Sequence, residues 1–368
     1  MSRLTVVQVV HGYPPFDQAG TEVYTRTLSR ALLARPGIEA VHVFARKGDP
    51  GEPELSLEER TQDGIQVHWL NHNYRSLHRQ DELHQNPKID AIFADLLDRV
   101  SADVVHVQHL IGLSTGIVLE ARRRGIPVVF TLPDFWYQCI RGQRIDWRDE
   151  RCDSIDLQKC ARCLGKKQVA YFVNAVRDRL KEKERSVLSR AASLPGMALG
   201  MLKRDIGVGP FVRRREHMNE VLKAASAIIG PSRFILDQYR EFFDLDDQKL
   251  VHSDYGMETD WAHGLKRRER VEGELHFGFV GTFLPTKGVD LLIEAFEPIR
   301  REGVHLHLHG KAPSHLKDFE ARLRRLAKNP AIHFHGPFDN RELARVLGSI
   351  DVLVVPSVRT GILARAAS

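Results

Sequence analysis

Cysteine is scarce in this sequence: four residues of 368, all between Cys139 and Cys163. That excludes a disulfide framework spread through the chain. Long apolar runs are missing as well. Nothing approaches the roughly 18 uninterrupted residues of a membrane-spanning helix. The Val-rich start ends at His11, too short for a signal-peptide core and without a small-residue cleavage site. The expected location is the cytoplasm. There is no Gly-x4-Gly-Lys-Ser/Thr phosphate loop, and the first strand is not followed by Gly-x-Gly-x-x-Gly, which disfavours a dinucleotide-dependent oxidoreductase. No aromatic platform interleaves with the basic residues, so nucleic acid is not an expected partner. Acidic residues stop at Asp351.

What is present is ordinary for a globular chain, 42% hydrophobic and 28% charged residues, at a length that suggests about two to three domains. The net charge of +6 is uneven. Leu164 to His217 holds 13 Lys/Arg and 5 Asp/Glu, or +8, so the remainder sums to −2. Such a concentration suits an anionic partner or a solvated helical face. Apolar Met197, Leu199, Met201 and Leu202 beside Lys203-Arg204, followed by Arg213-Arg214-Arg215, add a peripheral contact with an anionic membrane.

Hydrophobic runs and punctuation predict strands at Leu4–Val10, Ala40–Ala45, Ile65–Leu70, Asp103–Val107, Pro127–Leu132 and Ala227–Ser232, with helices from Gly20 and over Leu113–Arg124. In the helix from Gly20 the expected apolar face is Val23, Leu28, Leu32 and Leu33. Charged helix is expected over Gln168–Arg190, a broken segment over Leu194–Pro210 and helix over Arg213–Ala225. The pattern then repeats, with strands at Leu275–Val280, Val304–His309, Ile332–His335 and Asp351–Val355 and helices at Val289–Arg301, 315–328 and Asp339–Leu347. Alternating strands and helices imply an α/β protein with doubly wound parallel sheets. The expected domains are 1–262, carrying a cysteine-bearing loop 139–163 and a basic helical insert 164–225, and 263–368. Ligands of such sheets sit at the carboxyl ends of the strands.

Gly20, Gly281 and Gly310 stand at such ends, where a glycine lets backbone N–H groups approach a phosphate. Any one of them can equally serve only a tight turn. Lys287, beside the helix that follows Gly281, can neutralise a diphosphate. His109 and Asp134 stand at strand ends in the first half, His109 being equally well read as a hydrogen-bonded structural histidine. Cys139, Cys152, Cys160 and Cys163 include one Cys-x2-Cys pair. A structural zinc site, reduced thiols and redox or disulfide use are all open.

Several pieces, in order, resemble one family. They are His11-Gly12-Tyr13-Pro14-Pro15 with Gly20-Thr21-Glu22, Asp103-Val104-Val105-His106, Pro231-Ser232-Arg233-Phe234, Gly281 to Gly288 with Asp290-Leu291-Leu292, His333-Phe334-His335-Gly336, and Asp351 to Ser357. Together they resemble the family-4 glycosyltransferases of the GT-B fold. The resemblance implies two Rossmann-like domains and a nucleotide-diphospho-sugar donor held mainly by the second. It also implies sugar transfer with retention to a glycan or lipid-linked acceptor, at the inner membrane face in the lipid-linked case, with no cofactor required for catalysis. Matched residue by residue, it gives His109 and Asp134 catalytic, acceptor-side roles. Donor contacts fall to Gly20, Thr21, Gly281, Thr282, Lys287, Gly310, Gly336 and Phe338. Where relatives carry an arginine soon after the first glycine, this chain has Thr282 and Phe283; where they carry a histidine before the aspartate, it has Pro133. The family's Glu-x7-Glu element has no match after Ser357. The expectation is therefore a truncated or frame-shifted copy with an incomplete second domain and impaired transfer; the alternative is a non-catalytic nucleotide- or glycan-binding remnant.

Overall fold

A computed structural model describes residues 3–74, 81–148, 150–164, 208–313 and 316–358. The expected helix Gln168–Arg190, and all but the last three residues of the segment Leu194–Pro210, lie outside these. The chain divides into two compact units, Met1–Gly256 and Met257–Ser368.

The first unit is built on β1 (Leu4–Val10), β2 (Ile38–Lys47), β3 (Leu57–Gln62), β4 (Ile65–Asn71), β5 (Val104–Val107), β6 (Val128–Thr131), β7 (Ala227–Gly230) and β8 (Leu250–His252). They form one sheet in the order β3-β4-β2-β1-β5-β6-β7-β8. Only the β3–β4 pair is antiparallel. Its helices are α1 (Gly20–Leu33), α2 (Pro87–Val100), α3 (Gly116–Arg123), α4 (Gly209–Lys223) and α5 (Arg233–Phe242). Successive side chains of a strand face opposite ways, so a doubly covered sheet needs apolar residues at both parities. The sequence supplies them. Val7, Val9, Phe44 and Leu70 pack with Phe93, Leu96 and Leu97 of α2, while Val6, Val10, Val43 and Trp69 pack with Leu32 and Leu33 of α1. Each such fully buried side chain contributes roughly 1.5–3 kcal/mol.

Four elements were not expected from the sequence. β3 reads Leu-Glu-Glu-Arg-Thr-Gln, an edge strand without an apolar face. Helix α2 has a clear start signal, Asn86 accepting from the N–H groups of Lys88 and Ile89 with Pro87 at its first position. Helix α5 is capped by Ser232, whose hydroxyl accepts from Ile235 N–H at 3.2 Å. β8 spans three residues. The apolar face expected for α1 is partly wrong. Val23 is 36% exposed, whereas Glu22, Thr25 and Ser29 are buried. The two hydroxyls tolerate burial because each donates to a carbonyl one turn back, at 2.7 Å.

The second unit holds β9 (Leu275–Val280), β10 (Val304–His309), β11 (Ile332–Gly336) and β12 (Val352–Leu353), all parallel, in the order β11-β10-β9-β12. Helices α6 (Val289–Phe296), α7 (Lys317–Leu326) and α8 (Leu343–Gly348) complete it. Helix α6 ends five residues before the expected Arg301, and β12 is shorter than expected. Leu306, Leu308, Phe279 and Ile332 pack with Ile293, Phe296 and Leu323 in one core. The opposite parity is imidazole, supplied by His276, His305, His307, His309, His333 and His335. Their rings stack across strands, His276 on His307 with centroids 5.0 Å apart and His309 on His335 at 4.4 Å. Glu274 approaches His276 Nε2 at 3.4 Å, His276 Nδ1 lies 2.7 Å from His307 Nε2, and His307 Nδ1 lies 2.9 Å from His335 Nε2. An ionised carboxylate only accepts, so the row is satisfied when each neutral ring carries its proton on Nε2.

Candidate functional site

Both sheets reverse their order at a parallel strand, β1 in the first unit and β9 in the second. In the first unit β2 lies on one side of β1 and β5 on the other; in the second, β10 and β12 flank β9. The crevice beyond the strand ends at such a reversal is where doubly wound sheets bind ligands. Each unit places polar groups there.

In the first unit His11 follows β1 and His109 follows β5, and their rings are 4.5 Å apart. His11 Nε2 meets Glu22 Oε1 at 2.9 Å. His109, 3% exposed, has both nitrogens engaged. Its Nδ1 accepts from Ile111 N–H at 3.0 Å, so the proton of the neutral ring sits on Nε2, 3.3 Å from Asp134 Oδ1. Burial lowers the His109 pKa against the opposing pull of Asp134. Burial also disfavours ionised Glu22, but the hydrogen bond and charge of His11 outweigh it and hold that carboxyl below its usual range. Asp134 Oδ1 further accepts from Trp136 N–H at 2.8 Å. Tyr239 donates to the Asp134 carbonyl at 2.8 Å, and Arg214 donates to the carbonyls of Trp136 and Tyr137 at 2.6 and 3.0 Å. The turn bearing Asp134 is thus fastened from α4 and α5. The sequence reading set His109 and Asp134 each at a strand end without pairing them, and did not single out His11, Glu22 or Trp136 as site residues. Glu22 had a signal, a carboxylate in the first turn of a helix two residues after Gly20. Among the described residues, His11 Nδ1 and Glu22 Oε2 are buried without a hydrogen-bond partner. Gly20 opens α1 with open space where a Cβ would stand, and the Thr21 carbonyl accepts from Thr25 Oγ1.

In the second unit Gly281, Gly310 and Gly336 close the ends of β9, β10 and β11 side by side. Gly281 N–H donates to His309 O at 2.9 Å, and Gly310 N–H to Gly336 O at 2.8 Å. At Gly310, with φ +147°, a Cβ would collide with the Gly281 carbonyl. Thr282 is exposed. Phe283 is fully buried and belongs to the core of this unit. A single 3-10 turn, Pro285–Lys287, follows, ending in Gly288 at φ +65°. A Cβ on Gly288 would strike the carbonyl of Pro356 beyond β12, and Val358 N–H donates to Thr286 O at 3.2 Å. The Lys287 turn and the Pro356-Ser357 segment therefore pack together at the reversal. Ser357 Oγ is buried there with no partner among the described residues. Phe338 sets its edge on the His309 ring at 6.0 Å.

The four cysteines form no disulfide among the described residues and line one pocket in the 139–163 loop. Arg214, expected on an exposed basic surface, is 7% exposed with its guanidinium over the Trp136 ring at 5.2 Å. This corrects its place in the membrane reading; Met197 to Arg204 lie outside the described residues. No helix among the described residues is long and apolar enough to cross a membrane.

Comparison with known proteins agrees with both halves. The family described as "Glycosyl transferase 4-like domain" matches residues 19–159, and "Glycosyl transferases group 1" matches residues 274–366. The chain is a glycosyltransferase of the GT-B type. This GT-B transferase is similar in fold to sucrose-phosphate synthase from Thermosynechococcus elongatus, at 16% identity over 99% of this chain and 78% of that one, TM-score 0.58. It is similar also to Anabaena HepE in complex with UDP, at 11% over 99% and 77%, TM-score 0.59. An E. coli trehalose-6-phosphate structure bound with UDP-2-fluoro glucose aligns at 13% over 98% and 79%, TM-score 0.58. No protein of curated function matches the transferase by sequence.

Proposed function

We propose that this GT-B transferase moves a sugar from a nucleotide-diphospho-sugar to a glycan or lipid-linked acceptor, with retention at the anomeric carbon. The observation that carries the reading is the glycine edge of the second unit, Gly281, Gly310 and Gly336, beside the Lys287 turn at the β9/β12 reversal. A floor without side chains admits a diphosphate to backbone N–H groups, and Lys287 supplies a point charge. That assigns the counter-charge to the protein and requires no metal. Thr282 and Phe338 complete the donor contacts of this unit. Anabaena HepE with UDP and the E. coli structure with UDP-2-fluoro glucose are similar folds bound to such ligands.

In the reaction the bond from the anomeric carbon to the diphosphate oxygen breaks, and the acceptor oxygen bonds on the same face. The acceptor proton passes to the departing phosphate. Asp134, oriented by His109 and the Trp136 N–H, positions the acceptor hydroxyl; His109 itself has no free nitrogen to act as a base. The same reading places the protein in the cytoplasm, at the inner membrane face where a lipid-linked acceptor is used.

The test follows donor consumption with UDP-, ADP- and GDP-sugars. Asp134→Asn should lower turnover by about 10²-fold or more while leaving nucleoside diphosphate affinity unchanged. A parallel loss of affinity would remove Asp134 from the acceptor side. The second reading is a non-catalytic module of the same fold that binds nucleotide or glycan without turnover. Donor binding with no sugar released or transferred would select it.

A further inference from the structure

We propose that Cys139, Cys152, Cys160 and Cys163 bind one structural Zn²⁺ as a tetrathiolate. Three separate pieces of chain bring all the cysteines of the protein to one pocket. Cys139 lies in the turn fastened by its own N–H to Phe135 O at 2.7 Å, and Gly142 N–H returns to Cys139 O at 2.7 Å. Cys152 adjoins the antiparallel bridge Ile145–Arg151, its N–H donating to Arg144 O at 2.8 Å. Cys160 and Cys163 stand three residues apart on a helical stretch, 157–164, whose start is capped by Asp156, so they share one face.

The charges around the pocket supply a second argument. A Zn²⁺ with four thiolates carries a net charge of −2, from two positive and four negative charges. Arg141 Nη1 stands 3.9 Å from Cys163 Sγ, and Lys159, paired with Asp146 at 3.1 Å, lines the same pocket. Arg214 is buried in the pocket wall with Nε unpartnered among the described residues. Its two Nη groups donate to the carbonyls of Tyr137 and Trp136, which supply no charge. A buried guanidinium wants an anion; a tetrathiolate centre provides one where four neutral thiols do not. As the side chains stand, no three His, Cys, Asp or Glu among the described residues are set to hold an ion. The ligand set closes on the metal, as in small loops whose order is coupled to binding. Closure would tie Cys139 to the helix at 157–164 and so steady the turn that carries Asp134 and Trp136.

The test uses the full chain, produced with zinc and purified under reducing conditions without chelator. About one zinc per chain is expected, with thiols unreactive to an aromatic disulfide reagent until a chelator is added. Cobalt exchanged into the wild-type chain should show tetrahedral thiolate bands, a readout independent of any variant's folding. Cys160→Ser and Cys163→Ser should each lose most of the metal. Zinc below roughly a fifth of an equivalent with four freely titrating thiols, or a mass showing disulfides, would overturn the proposal.

Discussion

The two sheets share a strand order around their reversal and differ in what they expose. The first unit is apolar on both faces, with Val6, Val10 and Trp69 on one and Val7, Val9 and Phe44 on the other. The second is apolar beneath α6 and α7 and histidine-lined opposite. Their strand ends differ too. The first presents side chains, His11, His109 and Asp134; the second presents glycine backbone and one lysine turn. The shared order locates a crevice, and the end residues decide its chemistry: oriented hydrogen bonds in one unit, a charge-accepting floor in the other.

The largest expected effect strikes the glycine edge. Gly310→Ala puts a Cβ against the Gly281 carbonyl at φ +147° and should destabilise the second unit by about 3 kcal/mol or more. Gly336→Ala, at φ +78° with open space, should cost about 1 kcal/mol. Chemical denaturation measures both. Equal costs would show that the edge does not close on itself as described.

Acid should separate the two faces of the second sheet. Burial, then the charges of His335, His276 and its other neighbours, lower His307 to about 3, and burial with His335 lowers His309 to about 4. Both rings therefore take up protons more readily when unfolded. Their contribution is intact above pH 6.5 and is lost progressively as pH falls from there toward 4 for His309 and toward 3 for His307. His335→Gln removes the first-named neighbour charge, so the His307 titration followed by NMR should move upward and acid unfolding should become shallower. An unmoved His307 titration would mean that the imidazoles do not repel one another.

The smallest effect concerns α1. Val23→Ser, at a 36% exposed site, should change stability by less than about 0.5 kcal/mol. A loss near 2 kcal/mol would restore Val23 to the core.

Val-rich runs and glycine punctuation made β1, β5, β6, β7, β9 and β10 legible within a few residues, because a strand covered on both faces reads as a continuous apolar stretch. β3 was not legible, since an edge strand needs no apolar face, and α1 misled because Thr25 and Ser29 bury hydroxyls satisfied by their own helix. At the site, His109, Asp134, Gly281 and Gly310 could be placed at strand ends from the hydrophobic runs, and Lys287 beside the helix that follows. The His11–Glu22 pair could not, because it depends on how the chain turns after Pro15. Nor could the burial of Phe283 and Arg214, which packing decides.

In the proposed function the Lys287 turn and the glycine edge grip a diphosphate. Calorimetric titration of the wild-type chain and Lys287→Met with UDP, ADP and GDP tests it most directly. Loss of one charge-assisted contact, worth about 1.5–3 kcal/mol, should weaken whichever nucleotide binds by roughly 10- to 150-fold, with the fold unchanged by circular dichroism. Equal affinity in the two proteins, or no binding of any of the three by the wild-type chain, would contradict it.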